Sequence, residues 1–304
     1  MIKENNKTIR SNSAMFKKFN ILKDAIKTEI REHKASAFVY FSLRFLVIVT
    51  MILQFYNRNY ENVFLCILTL ALLIVPSFIQ VEFKIELPSA LEIIILLFIF
   101  SAEILGEIQS FYILFPMWDT ILHTINGFLA AAVGFSLVNI LNNDDRIQFK
   151  LSPLFMAITA FCFSMTIGVC WEFFEYFMDT FCGLDMQKDT IIHHITSVAL
   201  DPTKSNIPIT IDKINEVVIN GKSLGLGGYL DIGLIDTMTD LIVNFVGASV
   251  FSLFGYFYVK HGGKDSFVSM FIPHKKDKKH DFKRIVAERF KRKEHSKNEN
   301  KSKQ

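Results

Sequence analysis

Six stretches of this chain are apolar for about twenty residues each. They run over roughly 37–56, 62–81, 88–108, 119–141, 153–178 and 234–259. A helix needs about 20 residues to cross the ~30 Å hydrocarbon layer of a bilayer, so each stretch predicts a transmembrane helix. The expected fold is an all-α membrane protein: a six-helix transmembrane bundle with a small extracytoplasmic loop or hairpin insert. Pro88 and Pro153 fit first-turn helix positions, where the missing N–H costs nothing, and Pro76 falls inside the second stretch and predicts a kink.

Polar residues interrupt this pattern in a regular way. Glu103 and Glu107 close the third stretch, and Asp119 and His123 open the fourth. Glu172, Glu175 and Asp179 end the fifth, while Asp236, Asp240 and Asn244 begin the sixth. Every gap is three or four residues, which places each set along one helix face. With antiparallel neighbours, all four sets reach the same end of the bundle. Asp at the centre of a membrane helix costs about 2.5–3.5 kcal/mol on the insertion scale, so such groups are kept where they face each other, a cavity or a cation.

Between the fifth and sixth stretches, 179–233 is too long for a turn and reads as a cap over that end. Within it Ile207–Ile211 and Val217–Ile219 alternate as if to pair, and Gly221, Gly225, Gly227, Gly228 and Gly233 mark turns. They lack the Lys-Ser/Thr pair of a P-loop. Asp185, Asp189, His193 and His194 are placed by sequence to close over the site.

Charge orients the bundle. Residues 1–35 hold 9 Lys/Arg against 4 Asp/Glu and residues 261–304 hold 14 against 6, leaving a core with 10 basic and 20 acidic residues. Basic flanks stay on the cytoplasmic side, which predicts a multi-pass protein of the plasma or inner membrane with both termini cytoplasmic. Three parts follow: a basic amphipathic segment over 1–35, the membrane domain over 36–260 and a basic tail over 261–304, partly disordered and with an amphipathic piece at Phe282–Phe290. In the first, Met15, Phe19, Leu22, Ile26 and Ile30 form a stripe ringed by lysines. That pattern suits a helix on anionic lipid or one packed on the bundle. Membrane lipid, rather than nucleic acid, is the expected partner of both tails. The four cysteines, Cys66, Cys162, Cys170 and Cys182, form no disulfide framework or zinc spacing.

The acidic sets have few bases nearby: Lys188 in the cap and Arg44 in the first stretch. Crowded carboxylates must protonate or gather a divalent cation. Asp119, His123, Asp236 and Asp240 form the expected metal ligands, with Glu172 and Glu175 as the catalytic carboxylates. Glu103, Glu107, Asn244 and Asp179 stand behind them. Mixed Asp/Glu/His ligands suit Zn²⁺ or Mn²⁺, and an all-oxygen subset suits Mg²⁺. Trp118 and Trp171 read as interface anchors, and Gly127, Gly134, Gly247 and Gly255 as close helix contacts.

The segments WDTILHTINGFLAA (118–131), WEFFEYFMD (171–179) and DTMTDLIVNFVGA (236–248) resemble signature segments of the YjdF-like family of bacterial inner-membrane proteins. The opening Asp119 and His123 are also similar to VanZ-like membrane proteins. The resemblance covers about 90–260 and implies a polytopic inner-membrane protein; it carries no activity. Three functions stay open on the residues alone. One is a metal-dependent hydrolase or transferase acting on a lipid-linked or envelope substrate. A divalent-cation or proton-coupled transporter would need polar residues continuing inward, and only Glu92 and Asn139 offer them. The third is a structural or regulatory protein whose polar network specifies packing. The sequence leaves the oligomeric state open.

Overall fold

The computed structural model describes residues 18–302, apart from 33, 143–149, 264–265 and 278. Six helices are long and apolar enough to cross a membrane: Lys34–Tyr56, Tyr60–Glu82, Ser89–Ile108, Trp118–Asn142, Pro153–Cys182 and Leu234–Lys260. They are numbered here as spans one to six. Their ends follow local chemistry. Asn59 accepts a hydrogen bond from the Asn62 amide at the start of span two, and Ser152 does so from Phe155 ahead of Pro153. Span five stops at Gly183, whose φ of 69° is a left-handed cap that glycine adopts without steric cost.

Two spans are irregular. Span two is two helices, Tyr60–Leu72 and Val75–Glu82, with Pro76 in the first turn of the second. The expected kink is therefore a break. Span three begins as an α-helix over Ser89–Phe100 and unwinds into a π-helix over Ser101–Ile108. Nothing in the apolar pattern announced that change.

Spans four, five and six form one tightly packed trio, and spans one, two and three form a second group around their own core. Glycines set the spacing of the trio. Gly127 meets the Asn244 backbone, Gly247 meets the Thr124 carbonyl, and Gly134 and Gly255 are covered by Phe163 and Phe135. The expected role of these four is met, and Gly168 joins them: a Cβ there would lie 2.7 Å from the Asn244 amide nitrogen. Ser164 seals the same contact by donating to the Gly127 carbonyl at 2.8 Å.

The tails meet at the end away from the acidic sets. The helix over 18–32 packs Ala25 against Val81, Phe282 and Val286, with Leu22 and Ile26 of its stripe beside them; Phe19 is exposed, and Met15 lies outside the described residues. Beyond residue 260 the chain is more ordered than its composition suggests. Val268, Phe271 and Ile272 join the main core, His274–Lys275 pairs with Ile85–Glu86, and a helix runs over Phe282–Ser302. The apolar residues scattered among the lysines are what seat it.

The cap differs in pairing from the sequence expectation. Ile209–Ile211 pairs with Ile195–Ser197, while Val218–Ile219 pairs with Lys222–Ser223. The reason is the Asn220-Gly221 turn, with φ of 51° and 79°, which closes a two-residue hairpin and removes Val218–Ile219 as a partner. Thr190–Ile192 pairs with Tyr229–Asp231 and closes the cap at its base.

Candidate functional site

The glycine contacts between spans four, five and six bring three of the polar sets together. His123 lies one turn from Gly127, and Asp240 one turn from Asn244, so the contact that joins these helices also joins their side chains. His123 Nε2 stands 3.6 Å from Asp119 Oδ1 and 3.8 Å from Asp240 Oδ2, and its Nδ1 stands 3.9 Å from Glu172 Oε1. All three are longer than a hydrogen bond, which reaches at most about 3.5 Å between N and O. His123 is 9% exposed, Asp240 2% and Glu172 5%. Asp240 Oδ2 and Glu172 Oε2 are both buried without a hydrogen-bond partner among the described residues. Such an atom costs about 1–3 kcal/mol unless something satisfies it.

The separations fit a shared ion. Ligand atoms at 2.0–2.2 Å from a tetrahedral metal lie about 3.3–3.6 Å from one another. One ligand atom each from Asp119, His123 and Asp240 falls within 4.8 Å of the other two. Asp236, expected beside them, is engaged elsewhere: its Oδ2 accepts the Lys188 amide at 2.7 Å. Asp179 likewise accepts the Met186 and Gln187 amides at 2.6 and 2.8 Å. The two aspartates therefore strap residues 186–188 across the end of the bundle, helped by Gln187 on the Thr237 hydroxyl.

Beside the cluster lies a cavity of about 460 Å³ between the two helix groups. Glu103, Glu107, Asp119, His123 and Glu175 line it, together with Lys188 from the strap. Glu172 does not line it. Glu175 is oriented by the Trp171 indole, which donates at 2.8 Å, so Trp171 does more than mark an interface. Trp118 donates to the Ser101 carbonyl at 3.3 Å, at the start of the π-helix. Asn244 is 1% exposed at the heart of the trio and accepts a 3.5 Å bond from Asn126, which also lines the cavity.

Asp185, Asp189, His193 and His194 do not line the cavity. His193 is instead tied to the Ile214 carbonyl at 3.0 Å within the cap. The cap's contributions are Met186 and Lys188. Tyr112 also faces the cavity from the connection between spans three and four. Burial, then the charges of Asp119, Glu107, Glu103 and Glu175, pushes its phenol above the ordinary range, so it remains a neutral hydroxyl. Asn126 was legible as the residue three beyond His123 on the same face; Tyr112 had no periodic signal to mark it.

Residues 38–261 match the model of a family of predicted membrane proteins, DUF2238. The chain belongs to this family. The match contains all six spans' apolar cores and the three segments 118–131, 171–179 and 236–248. The YjdF-like resemblance is consistent with DUF2238 membership. No curated protein and no solved structure matches the chain. Within the family's span, the cluster of Asp119, His123 and Asp240 is the feature with the most chemistry to offer.

Proposed function

We propose that this DUF2238 protein is a membrane-embedded, metal-dependent hydrolase or transferase acting on an envelope amphiphile. One observation carries the reading: His123 Nε2, Asp119 Oδ1 and Asp240 Oδ2 converge at distances too long for hydrogen bonds and suited to a shared divalent cation. Three protein ligands leave a coordination position open, as in catalytic zinc sites. Mixed nitrogen and carboxylate ligands favour Zn²⁺ or Mn²⁺ over Mg²⁺.

Roles divide by geometry. Glu172 stands 3.9 Å from Nδ1, on the ring edge away from Nε2, where its negative charge favours a proton on Nδ1 and so leaves Nε2 for metal. Glu175 faces the cavity and is the general base. It takes a proton from water as the water oxygen bonds to the substrate's phosphorus or acyl carbon. The bond to the leaving oxygen then breaks, and the proton passes to that oxygen. The cation's contribution is to polarise the attacked group and lower the pKa of bound water.

The sidedness supports a lipid-linked substrate. The basic tails gather at the end opposite the cluster, and basic flanks are cytoplasmic, so the cavity belongs to the outer side of the plasma or inner membrane. Inward of the site, Phe135, Met156 and Phe251 pack into the trio's apolar core, and the buried Glu92 beyond it is held by the Gln80 amide at 3.1 Å, which favours an enclosed site over conduction. The test is metal content of the purified full chain, beside Asp240→Ala and His123→Ala. One equivalent in wild type, lost in both variants, is expected; wild type without stoichiometric metal overturns the proposal.

A further inference from the structure

The cavity has two unlike ends and a side opening. Spans three and five both border it, yet they barely touch each other. One lip of the gap is Phe98, Ile99 and Ala102 from span three; the other is Ile167, Cys170 and Trp171 from span five. Those three span-five residues are exposed on a helix whose exposed surface is mostly apolar. In a membrane such a surface meets lipid chains, so the gap opens sideways into the bilayer. The polar end lies under the strap, where the carboxylates of Glu103, Glu107, Asp119 and Glu175 share the lining with the Lys188 ammonium, which also reaches the Asp185 carbonyl and carboxylate.

The π-helix gives the carboxylates their placement. Glu103 and Glu107 sit four residues apart within Ser101–Ile108, close enough to repel each other, and Glu107 also feels Lys188 and Asp119. Segments of π-helix are rare and concentrate at functional sites. An acidic wall is not a site by itself. Here it faces a cavity onto which the buried His123 also opens, its ring 3.6–3.9 Å from three carboxylates and without a hydrogen bond among the described residues. A ligand seated there would present positive charge to the Glu103–Glu107 wall and negative charge to Lys188 and to a cation held by the His123 cluster.

We infer that the cavity takes a zwitterionic phospholipid entering sideways between spans three and five. Its primary amine sits on Glu103 and Glu107, its phosphate sits beside Lys188 and the His123 cluster, and an acyl chain leaves through the lipid-facing gap. The inference names the substrate class of the proposed enzyme. Only the phosphate contact rests on that reading; the amine contact and the sideways mouth stand without it. A volume of about 460 Å³ is within the range of sites for small ligands and suits a head group with the first part of a chain.

The experiment uses the full chain reconstituted in vesicles of equal parts phosphatidylethanolamine and phosphatidylglycerol, then released and weighed by native mass spectrometry. Wild type is expected to retain one lipid, with ethanolamine lipid preferred by about tenfold or more. Glu103→Gln with Glu107→Gln should abolish the preference and keep bound metal. Ala102→Trp should abolish retention by filling the lip, also with metal kept; Ile167→Trp does the same from the other side should the first variant not fold. Retention of glycerol lipid as readily as ethanolamine lipid, or retention undiminished in both tryptophan variants, overturns the inference. Because metal is measured on the same samples, a protein without metal that still selects ethanolamine lipid sinks the proposed catalysis and leaves this binding site standing.

Discussion

The two ends of the molecule treat the same chemical group in opposite ways. At the tail end three carboxylates are met by lysines. Glu29 is buried on Lys276, Glu82 lies 2.6 Å from Lys283, and Asp281 lies 3.5 Å from Lys84. At the cap end Asp240 and Glu172 are as deeply buried as Glu29, and no Lys or Arg of the described residues is paired with either. A fold that needed charge only for stability would use the tail-end solution at both ends. On the function proposed above, the difference means that the cap-end carboxylates are kept ready for a positive charge that the described residues do not supply.

The largest effect should come from breaking the tail end. Lys276→Ala leaves Glu29 buried with its main cation gone and should cost about 3–5 kcal/mol, whereas Glu29→Leu with Lys276→Met should be near neutral. Thermal unfolding in detergent reads both. The cap end should answer differently. Asp240→Asn in chelator-treated protein removes no cation contact and should not lower the melting temperature. A fall as large as that of Lys276→Ala would show that the two ends are alike, and that the buried carboxylates serve packing alone.

With metal present the contrast sharpens. Asp240→Ala and His123→Ala should lose metal affinity by more than the ~10–100-fold expected for Glu172→Gln, an outer partner of the histidine. Titration with Zn²⁺ in the presence of a competing chelator gives the ranking. If Glu172→Gln proves the most damaging of the three, Glu172 is itself a ligand and the roles assigned around His123 are wrong. Smaller again is Gly168→Ala, which pushes a methyl group toward Asn244 and should cost about 1–3 kcal/mol of stability. It should also weaken metal binding, because Asn244 lies one turn from Asp240; unchanged affinity would uncouple the glycine seam from the site.

Much of this arrangement was written in the spacing of residues. Twenty-residue apolar runs fix the spans, and three- and four-residue gaps fix which polar groups share a face. Antiparallel order then fixes that those faces meet at one end. Spacing does not say how far a side chain reaches or what else wants it. Asp236 carries the same pattern as Asp240, yet a backbone amide from the cap takes its carboxylate. That contact is set by residues almost fifty positions away, which no periodicity encodes. The π-helix was hidden for a related reason: one added residue per turn leaves the apolar composition unchanged. The strand pairing of the cap went astray because alternation shows that a segment can be a strand, while the Asn220-Gly221 turn decides its partner.

The smallest effect belongs to a cap carboxylate that is fully served by its own loop. Asp201 accepts bonds from the Thr203 hydroxyl at 2.6 Å, the Thr203 amide at 2.9 Å, and the Ser205 and Ile207 amides at 2.8 and 3.2 Å. The Thr203 hydroxyl leads these bonds in holding its carboxyl down at about 2. A depressed carboxylate contributes stability that is complete above its unfolded pKa of about 3.9 and is lost as pH falls through the folded value. Amide exchange at Ser205 and Ile207 should therefore accelerate between about pH 4 and about pH 2, after correction for intrinsic rates. Asp201→Ala should show fast exchange already at neutral pH, with metal content unchanged. Loss of metal in that variant would mean that the loop around Asp201 supports the cluster, and the line drawn between cap and site would have to move.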